Sequence, residues 1–228
     1  MDISKDPRIL MAEYALDRLK TLTINKKYKL PASKEKTLEA INKMNSILKN
    51  IKYSYIEPKI LVDDTRVKEF ELMSNQFWDY IVKNNPDIDK PNITNLELRF
   101  IFNILKGFRR RLRLGNQVPI SKAIDIIAVK IISVSKLPKS DNLFLCRVGD
   151  GKRVLNIITN LKGVKKDQIL PAAILPPREF GGEISEAMFV SSVDLKNNNL
   201  KAGDLILELP DDALKEVNNQ ILKILKGH

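Results

Sequence analysis

The residues best suited to chemistry in this 228-residue chain are basic, and five of them are clustered. Between Ile104 and Val118 the chain has no acidic residue but contains Lys106, Arg109, Arg110, Arg111 and Arg113. Apolar residues recur among them at helical spacing, which predicts a helix whose arginines lie largely off the apolar face. Because arginine keeps its charge and offers a planar fork of donors, this cluster favours phosphate recognition. The alternative is a solvated basic face that complements the helix macrodipole.

The side chains that most enzymes use are scarce in this sequence. There is one His, His228 at the last position, and one Cys, Cys146 in an apolar run. A His-based general base, a catalytic triad, a His-ligated zinc and a disulfide within the chain are therefore not expected. We interpret Cys146 as a buried, inert thiol in a reducing compartment. The sequence predicts no catalytic residue, no metal and no cofactor.

The formal net charge of +11, from 39 Lys+Arg and 28 Asp+Glu, predicts an anionic partner. Residues 1–117 hold 23 basic and 15 acidic residues, a net of +8, and residues 118–228 hold 16 and 13, a net of +3. No apolar run reaches the length of a membrane span, and the first seven residues do not resemble a signal peptide. We expect a cytoplasmic protein that binds nucleic acid and no membrane.

The elements that must position these residues differ between the two halves. Apolar residues at spacings of three and four predict helices over about 7–22, 33–51, 63–83 and 94–115. Ser33 is the predicted N-cap of the second helix, Thr94 and Glu97 resemble a capping box, and Gly115 would end the fourth helix. The first half is therefore predicted to be a helical domain over 1–117.

After Gly115 the pattern becomes that of strands, near 124–134, 143–148, 154–159, 169–175, 187–193 and 205–209. Gly149-Asp150-Gly151 lies between two apolar runs and predicts a hairpin turn. Short strands with turn signals favour a small barrel, and a last amphipathic helix is predicted over 211–226. We expect an α+β multidomain chain with its boundary near Val118-Pro119, so that 118–228 form the second domain.

Three sequence blocks in the second half resemble a known family. They are Asp125-Ile126-Ile127-Ala128-Val129-Lys130-Ile131, then Leu137-Pro138-Lys139-Ser140-Asp141-Asn142-Leu143, then Gly182-Glu183-Ile184-Ser185-Glu186-Ala187-Met188. Their order and spacing are similar to the tRNA-binding domain of the endothelial monocyte-activating polypeptide and of methionyl-tRNA synthetase C-termini. The sequence departs from the family pattern at an Arg, a His and two glycines, which are all replaced here. The resemblance covers none of residues 1–117.

The resemblance implies an OB-fold, a five-stranded barrel whose open face binds RNA. It places Ser185 and Met188 at the RNA-facing edge, with Asn156 and Asn160 on the strand and loop that line that face. Barrel packing is the alternative role, and for Met188 it is at least as well supported. Phosphate contacts would come from basic residues of this half, namely Lys136, Lys139, Arg147, Lys152, Arg153, Lys162, Lys165, Lys166 and Arg178.

These patterns together predict a noncatalytic RNA-binding protein that recognises tRNA or another structured RNA by shape and phosphate contacts. It would act in trans beside aminoacyl-tRNA synthetases or other RNA enzymes. A second hypothesis is a protein-docking scaffold or dimeric adaptor, motivated by the aromatic stripe of Phe70, Phe77, Trp78 and Tyr80, although core packing also explains that stripe. The terminal helix 211–226 is a candidate homodimer interface. The third and weakest hypothesis is an RNA-processing enzyme.

Overall fold

A computed structural model describes residues 2–138, 140–196 and 199–227 of the chain. Its contacts divide the chain into two compact units, one of residues 1–123 with 221–228 and one of residues 124–220. The predicted boundary at 117/118 thus lies six residues before the boundary between the units. The predicted terminal helix contributes to both units rather than to the second alone. Among the described residues, no helix has the length and apolarity that crossing a bilayer requires.

The helical unit contains α1 (Pro7–Ile24), α2 (Lys34–Lys52), α3 (Pro58–Leu61), α4 (Thr65–Asn84), α5 (Ile93–Lys106) and α6 (Phe108–Leu112). The four long helices begin at side-chain caps, which satisfy backbone N–H groups that have no partner within the helix. These caps are Asp6, Ser33, Asp64 and Asn92. Ser33 was predicted, whereas the fourth helix starts from Asn92 and not from the expected capping box at Thr94.

The predicted fourth helix is broken in two at Gly107. Gly107 is the C-cap of α5, and α6 continues immediately after it. A Cβ at Gly107 would lie 2.6 Å from Arg111 Nη1 and 2.8 Å from the carbonyl oxygen of Asn103. The chain therefore bends where only glycine leaves room for a side chain that folds back from the next turn.

A buried arginine joins the two ends of the helical unit. Arg8 is 1% exposed and forms a two-point ion pair with Asp6, at 2.9 and 2.6 Å. Its Nη1 also donates to the carbonyl oxygens of Arg111 and Gly115, both at 2.9 Å. Since a buried charge is stable only when paired and hydrogen-bonded, these contacts fix the start of α1 against the end of α6.

The second unit contains a five-stranded antiparallel sheet of the OB type. Its strands are β1 (Ile126–Lys136), β2 (Phe144–Gly149), β3 (Val154–Thr159), β4 (Ile169–Phe180) and β5 (Glu183–Phe189), in the order β3-β2-β1-β4-β5. The first part of β1 pairs with β4 and the later part with β2, with a register shift between Ile131 and Ser133. This irregularity bends one long strand so that it serves both halves of the barrel.

Two strand predictions needed correction. β5 begins at Glu183, four residues before the predicted start, and ends at Phe189. The predicted strand at 205–209 is reduced to a single bridge between Leu205 and Ile127, although backbone hydrogen bonds join 203–206 to the start of β1. The terminal helix α7 (Asp211–Lys226) has the predicted bounds. Three members of its apolar stripe, Leu214, Val217 and Ile221, are already buried within the single chain.

Candidate RNA-binding surfaces

The two outer strands of the sheet, β3 and β5, are joined by side chains of β5. Ser185 Oγ accepts a hydrogen bond from the Ile158 amide at 3.0 Å and donates to the Ala187 carbonyl oxygen at 3.0 Å. Glu186 Oε1 accepts from the Asn156 amide at 3.4 Å, and Glu186 Oε2 pairs with Arg153 Nη1 at 2.5 Å. These contacts close the sheet into a barrel along a seam, which we call the β3–β5 seam.

The seam changes the role expected of Ser185. Its side chain is 7% exposed, and its hydroxyl already accepts one hydrogen bond and donates another. An RNA base could bond to it only by displacing a backbone group of the seam. Ser185 therefore bridges β3 and β5 beneath the surface at which RNA binding was predicted. Of the two predicted asparagines, Asn156 is half-buried on β3 and Asn160 is exposed just after it.

A cavity of about 140 Å³ opens beside the β3–β5 seam. Its apolar walls include Ile158, Leu175, Phe180 and Met188, and its polar walls include Arg178 and Gln220. Another protein cavity of about 150 Å³ holds a benzene molecule, so one aromatic ring fits in this volume. Met188 is half-buried in the wall of this cavity.

Two cavity residues were missed by the sequence analysis, and their chemistry suits a base. Phe180 is 39% exposed, and its aromatic side chain lines the cavity. Gln220 Nε2 donates to Glu216 Oε1 at 2.7 Å, whereas Gln220 Oε1 is buried and accepts no hydrogen bond from the described residues. The amphipathic stripe of α7 drew attention to its apolar residues, so no signal in the sequence singled out Gln220.

The predicted cations of the barrel differ in how they are engaged. Arg153 is held by Glu186 and Asp150, and Lys136 lies 3.3 Å from Asp141. The others that the structure describes are exposed and form no ion pair with a described residue: Arg147, Lys152, Lys162, Lys165, Lys166 and Arg178. Lys139 lies outside the described residues, as does His228. Lys162, Lys165 and Lys166 share the loop between β3 and β4, so they form the densest group of available cations.

The arginine cluster of the helical unit is mostly engaged in holding the fold. Arg111 is 2% exposed, and its guanidinium donates to the carbonyl oxygens of Ile104 and Asn103, at 2.9 and 3.1 Å. These carbonyls belong to the last turn of α5, where the Asn103 carbonyl oxygen also accepts the Gly107 amide at 3.1 Å, so Arg111 adds a side-chain cap to that helix end. A phosphate at the surface has no access to it, and Arg111 is removed from the candidate RNA-binding residues.

The other members of the cluster are partly engaged. Arg109 donates to the Val62 carbonyl oxygen at 2.8 Å and pairs with Glu71 at 3.1 Å. Lys106 lies 5.8 Å from the centre of the Trp78 ring, which also packs against Phe102 at 5.3 Å. Arg110 is half-buried, and only Arg113 is fully at the surface. The cluster is therefore a weaker anion-binding surface than its charge alone predicts.

Comparisons with known proteins match both units. Residues 1–115 match the model of the family described as "Alpha helical domain", and residues 126–215 match that of "Putative tRNA binding domain". The chain is 30% identical over 110 residues to the phenylalanine–tRNA ligase beta subunit of Thermotoga maritima. That alignment covers 44% of this chain and 14% of the relative, so the chain spans a small part of the curated protein it matches.

A solved structure gives a further match. The MetRS related protein from Pyrococcus horikoshii aligns with a TM-score of 0.34 and 13% identity. The alignment covers 36% of this chain and 89% of that one.

Proposed function

Since the chain belongs to the alpha helical domain family through residues 1–115 and to the tRNA-binding domain family through residues 126–215, we propose that it is a noncatalytic tRNA-binding protein. The observation that carries the proposal is the family match over the whole barrel. The relative from Thermotoga maritima is a subunit of a tRNA ligase, which also favours tRNA as the ligand. Neither family description names a catalytic domain.

The cavity beside the β3–β5 seam is proposed as the place where one unstacked base of the RNA is held. Bases at loops and ends of folded RNA are splayed out and bind by stacking and by hydrogen bonds to their edges. Phe180 supplies a ring face and Met188 a polarizable apolar wall. An amino group of the base would give Gln220 Oε1 the donor that it lacks among the described residues.

Phosphates on either side of that base would meet the exposed cations of the barrel. Arg178 lines the cavity itself, and the β3–β4 loop carries Lys162, Lys165 and Lys166. Such contacts add affinity that falls with salt and carry no sequence information. The combination of one base site with a basic rim fits recognition of a folded RNA by its shape.

The experiment that tests the base site is the replacement Phe180→Ala. Loss of stacking on one base costs about 1–3 kcal/mol, so the Kd for tRNA should rise about 5- to 150-fold. Val154→Ala, which trims another exposed apolar side chain of the barrel (45% exposed), is the matched control and should leave the Kd unchanged. Equal Kd values for the parent chain and Phe180→Ala, measured by fluorescence anisotropy, would show that the cavity holds no base.

We propose further that the chain acts in trans, supplying tRNA to an aminoacyl-tRNA synthetase or another RNA enzyme. An aminoacylation assay with unfractionated tRNA tests this directly, because a tRNA carrier should lower the KM for tRNA while leaving kcat unchanged. A KM that does not respond to the added chain for any synthetase tried would contradict it.

The aromatic stripe that suggested a protein-docking scaffold is explained by core packing, because Phe70 and Phe77 are buried and Trp78 packs on Phe102.

A further inference from the structure

A second basic surface lies on the helical unit, away from the arginine cluster in the sequence. Residues 18–34 contain no Asp or Glu but have six cations, Arg18, Lys20, Lys26, Lys27, Lys29 and Lys34. Three of these, Lys26, Lys27 and Lys29, lie in the segment that joins α1 to α2, and we call this segment the lysine loop. All three are exposed, and none forms an ion pair with a described residue.

The lysine loop is more available to an anion than the arginine cluster is. Arg109 pairs with Glu71, Arg111 is buried, and Lys106 lies near the Trp78 ring. In the lysine loop no ion pair with a described residue offsets the positive charge. The charge that the helical unit can offer to a partner is therefore concentrated between α1 and α2.

The backbone of the lysine loop places a lysine where glycine is usual. The Lys27 amide donates to the Leu22 carbonyl oxygen at 3.0 Å and the Lys26 amide to that of Thr23 at 3.1 Å, which is the pattern of a Schellman motif. Lys26 occupies its left-handed position with φ 49°. A side chain in that conformation costs about 1 kcal/mol or more relative to glycine. Glycine at this position would avoid that cost, so Lys26 can be replaced by glycine without loss of stability from the backbone.

Buried contacts hold the lysine loop in one shape. The Tyr28 hydroxyl lies 2.7 Å from Thr23 Oγ1, and Thr23 Oγ1 also bonds to the Leu19 carbonyl oxygen at 2.8 Å. Burial raises the pKa of Tyr28 to about 12, so the phenol stays neutral. The Lys29 amide donates to Asn85 Oδ1 at 3.3 Å. With Tyr28 pointing inward, its lysine neighbours on both sides are directed to solvent.

The start of α2 adds to the positive potential rather than offsetting it. The N-terminal end of a helix is its positive end, where acidic residues are usual, but Lys34 and Lys36 both stand in the first turn of α2. Glu35 is the one acidic residue in that turn. Its pKa is lowered first by a backbone hydrogen bond, then by Ser33, and further by the charges of Lys26 and Lys34. The charges of Lys26 and Lys34 therefore both act on the carboxyl at the start of α2.

From this arrangement we infer that the lysine loop binds the phosphate backbone of RNA, so that the helical unit adds to the RNA affinity that the barrel provides. The inference rests on the proposed function, since the RNA is the one that the barrel binds. An RNA backbone suits the observations because its charges repeat along the chain, as do the exposed lysines. Lysine acts there as a point charge, which fits phosphate contact without sequence readout.

The test is the salt dependence of tRNA binding by the full chain, with Lys26→Gly, Lys27→Gln and Lys29→Gln combined in one variant. Each lost phosphate contact should reduce the slope of log K against log salt by about 0.9, so the slope should become less steep by about 2 to 3. The affinity gained between about 200 mM and about 50 mM salt should then be about 40-fold smaller than for the parent chain. Lys26→Gly alone should leave Tm unchanged or raise it.

The matched control neutralises three other lysines of the same unit, Lys43→Gln, Lys68→Gln and Lys90→Gln, of which Lys43 and Lys90 are ion-paired. Its slope should stay near that of the parent chain. Equal slopes for the lysine-loop variant and the parent would overturn the inference and leave an acidic protein as the partner of this surface. A lowered Tm with an unchanged slope would show that the lysines serve only the α1 macrodipole. A parent chain that binds no tRNA would overturn both the inference and the proposed function.

Discussion

Ser185→Ala separates a structural role from an RNA-contacting one. In the native chain the Ser185 hydroxyl accepts from the Ile158 amide and donates to the Ala187 carbonyl oxygen. The alanine variant leaves both backbone groups without these bonds in a buried place. An unsatisfied buried donor or acceptor costs about 1–3 kcal/mol, so we expect the barrel to lose about 2 kcal/mol of stability. For a barrel unit of roughly 100 residues, this is a fall in Tm of about 8–16 °C.

Calorimetry of the full chain measures this prediction, with the barrel transition followed separately from that of the helical unit. Amide hydrogen exchange adds a local readout, because the Ile158 amide should lose protection in the variant. Ser192→Ala, at an exposed serine of the same unit, should change neither quantity. An unchanged Tm together with weakened tRNA binding would refute the reasoning and return Ser185 to the RNA-contacting role that the sequence first suggested.

Three further predictions test other parts of the structure. Arg111→Met removes the guanidinium that caps α5, so the helical unit should lose about 3 kcal/mol in urea unfolding, whereas the exposed Arg113→Gln should lose almost nothing. Burial raises the pKa of the Cys146 thiol to about 11, so a disulfide reagent at pH 8 should label the folded chain very slowly and the urea-unfolded chain at once; fast labelling of the folded chain would contradict this burial. Gly203→Ala should destabilise the barrel more than Gly163→Ala. Both glycines have positive φ, but only at Gly203 would a Cβ meet another residue, 2.2 Å from the Asp150 carbonyl oxygen; equal losses of Tm would show that the backbone moves aside.

Helical spacing predicted the long helices and apolar runs predicted the first four strands, because most of the apolar residues in these patterns are buried. β5 was placed too late because three consecutive residues, Ser185, Glu186 and Ala187, are all buried there. Two of them are polar, and they are buried because their side chains bond across to β3. The spacing of apolar residues in the sequence does not indicate that β5 bonds to β3 and closes the barrel. The strand predicted at 205–209 is not formed. Its apolar residues favoured a buried strand, but Leu205 and Leu207 are exposed.

The arginine cluster shows what charge in a sequence leaves undetermined. Its spacing indicated that the arginines lie off the apolar face, but the groups that engage Arg109 belong to the end of α3 and to α4, about 40 residues earlier. Because one continuous helix was predicted up to Gly115, the sequence analysis predicted neither the bend at Gly107 nor the capping role of Arg111. The lysine loop was not singled out because the basic segment around it spreads six cations over seventeen residues, and only the structure shows that Lys26, Lys27 and Lys29 form no ion pair with a described residue. Met188 was predicted as an RNA-facing residue from the resemblance alone, and the structure shows that it lines a cavity together with Phe180.

The most direct test of the central claim is the equilibrium binding of the unaltered chain to unfractionated tRNA, by fluorescence anisotropy at low salt. A duplex RNA of matched length serves as competitor, because it offers phosphates but neither the tRNA shape nor unstacked bases. The account predicts a Kd in the micromolar range or below, a steep salt dependence and poor competition by the duplex. No binding at micromolar protein, or equal competition by tRNA and duplex, would contradict the claim that this chain recognises tRNA.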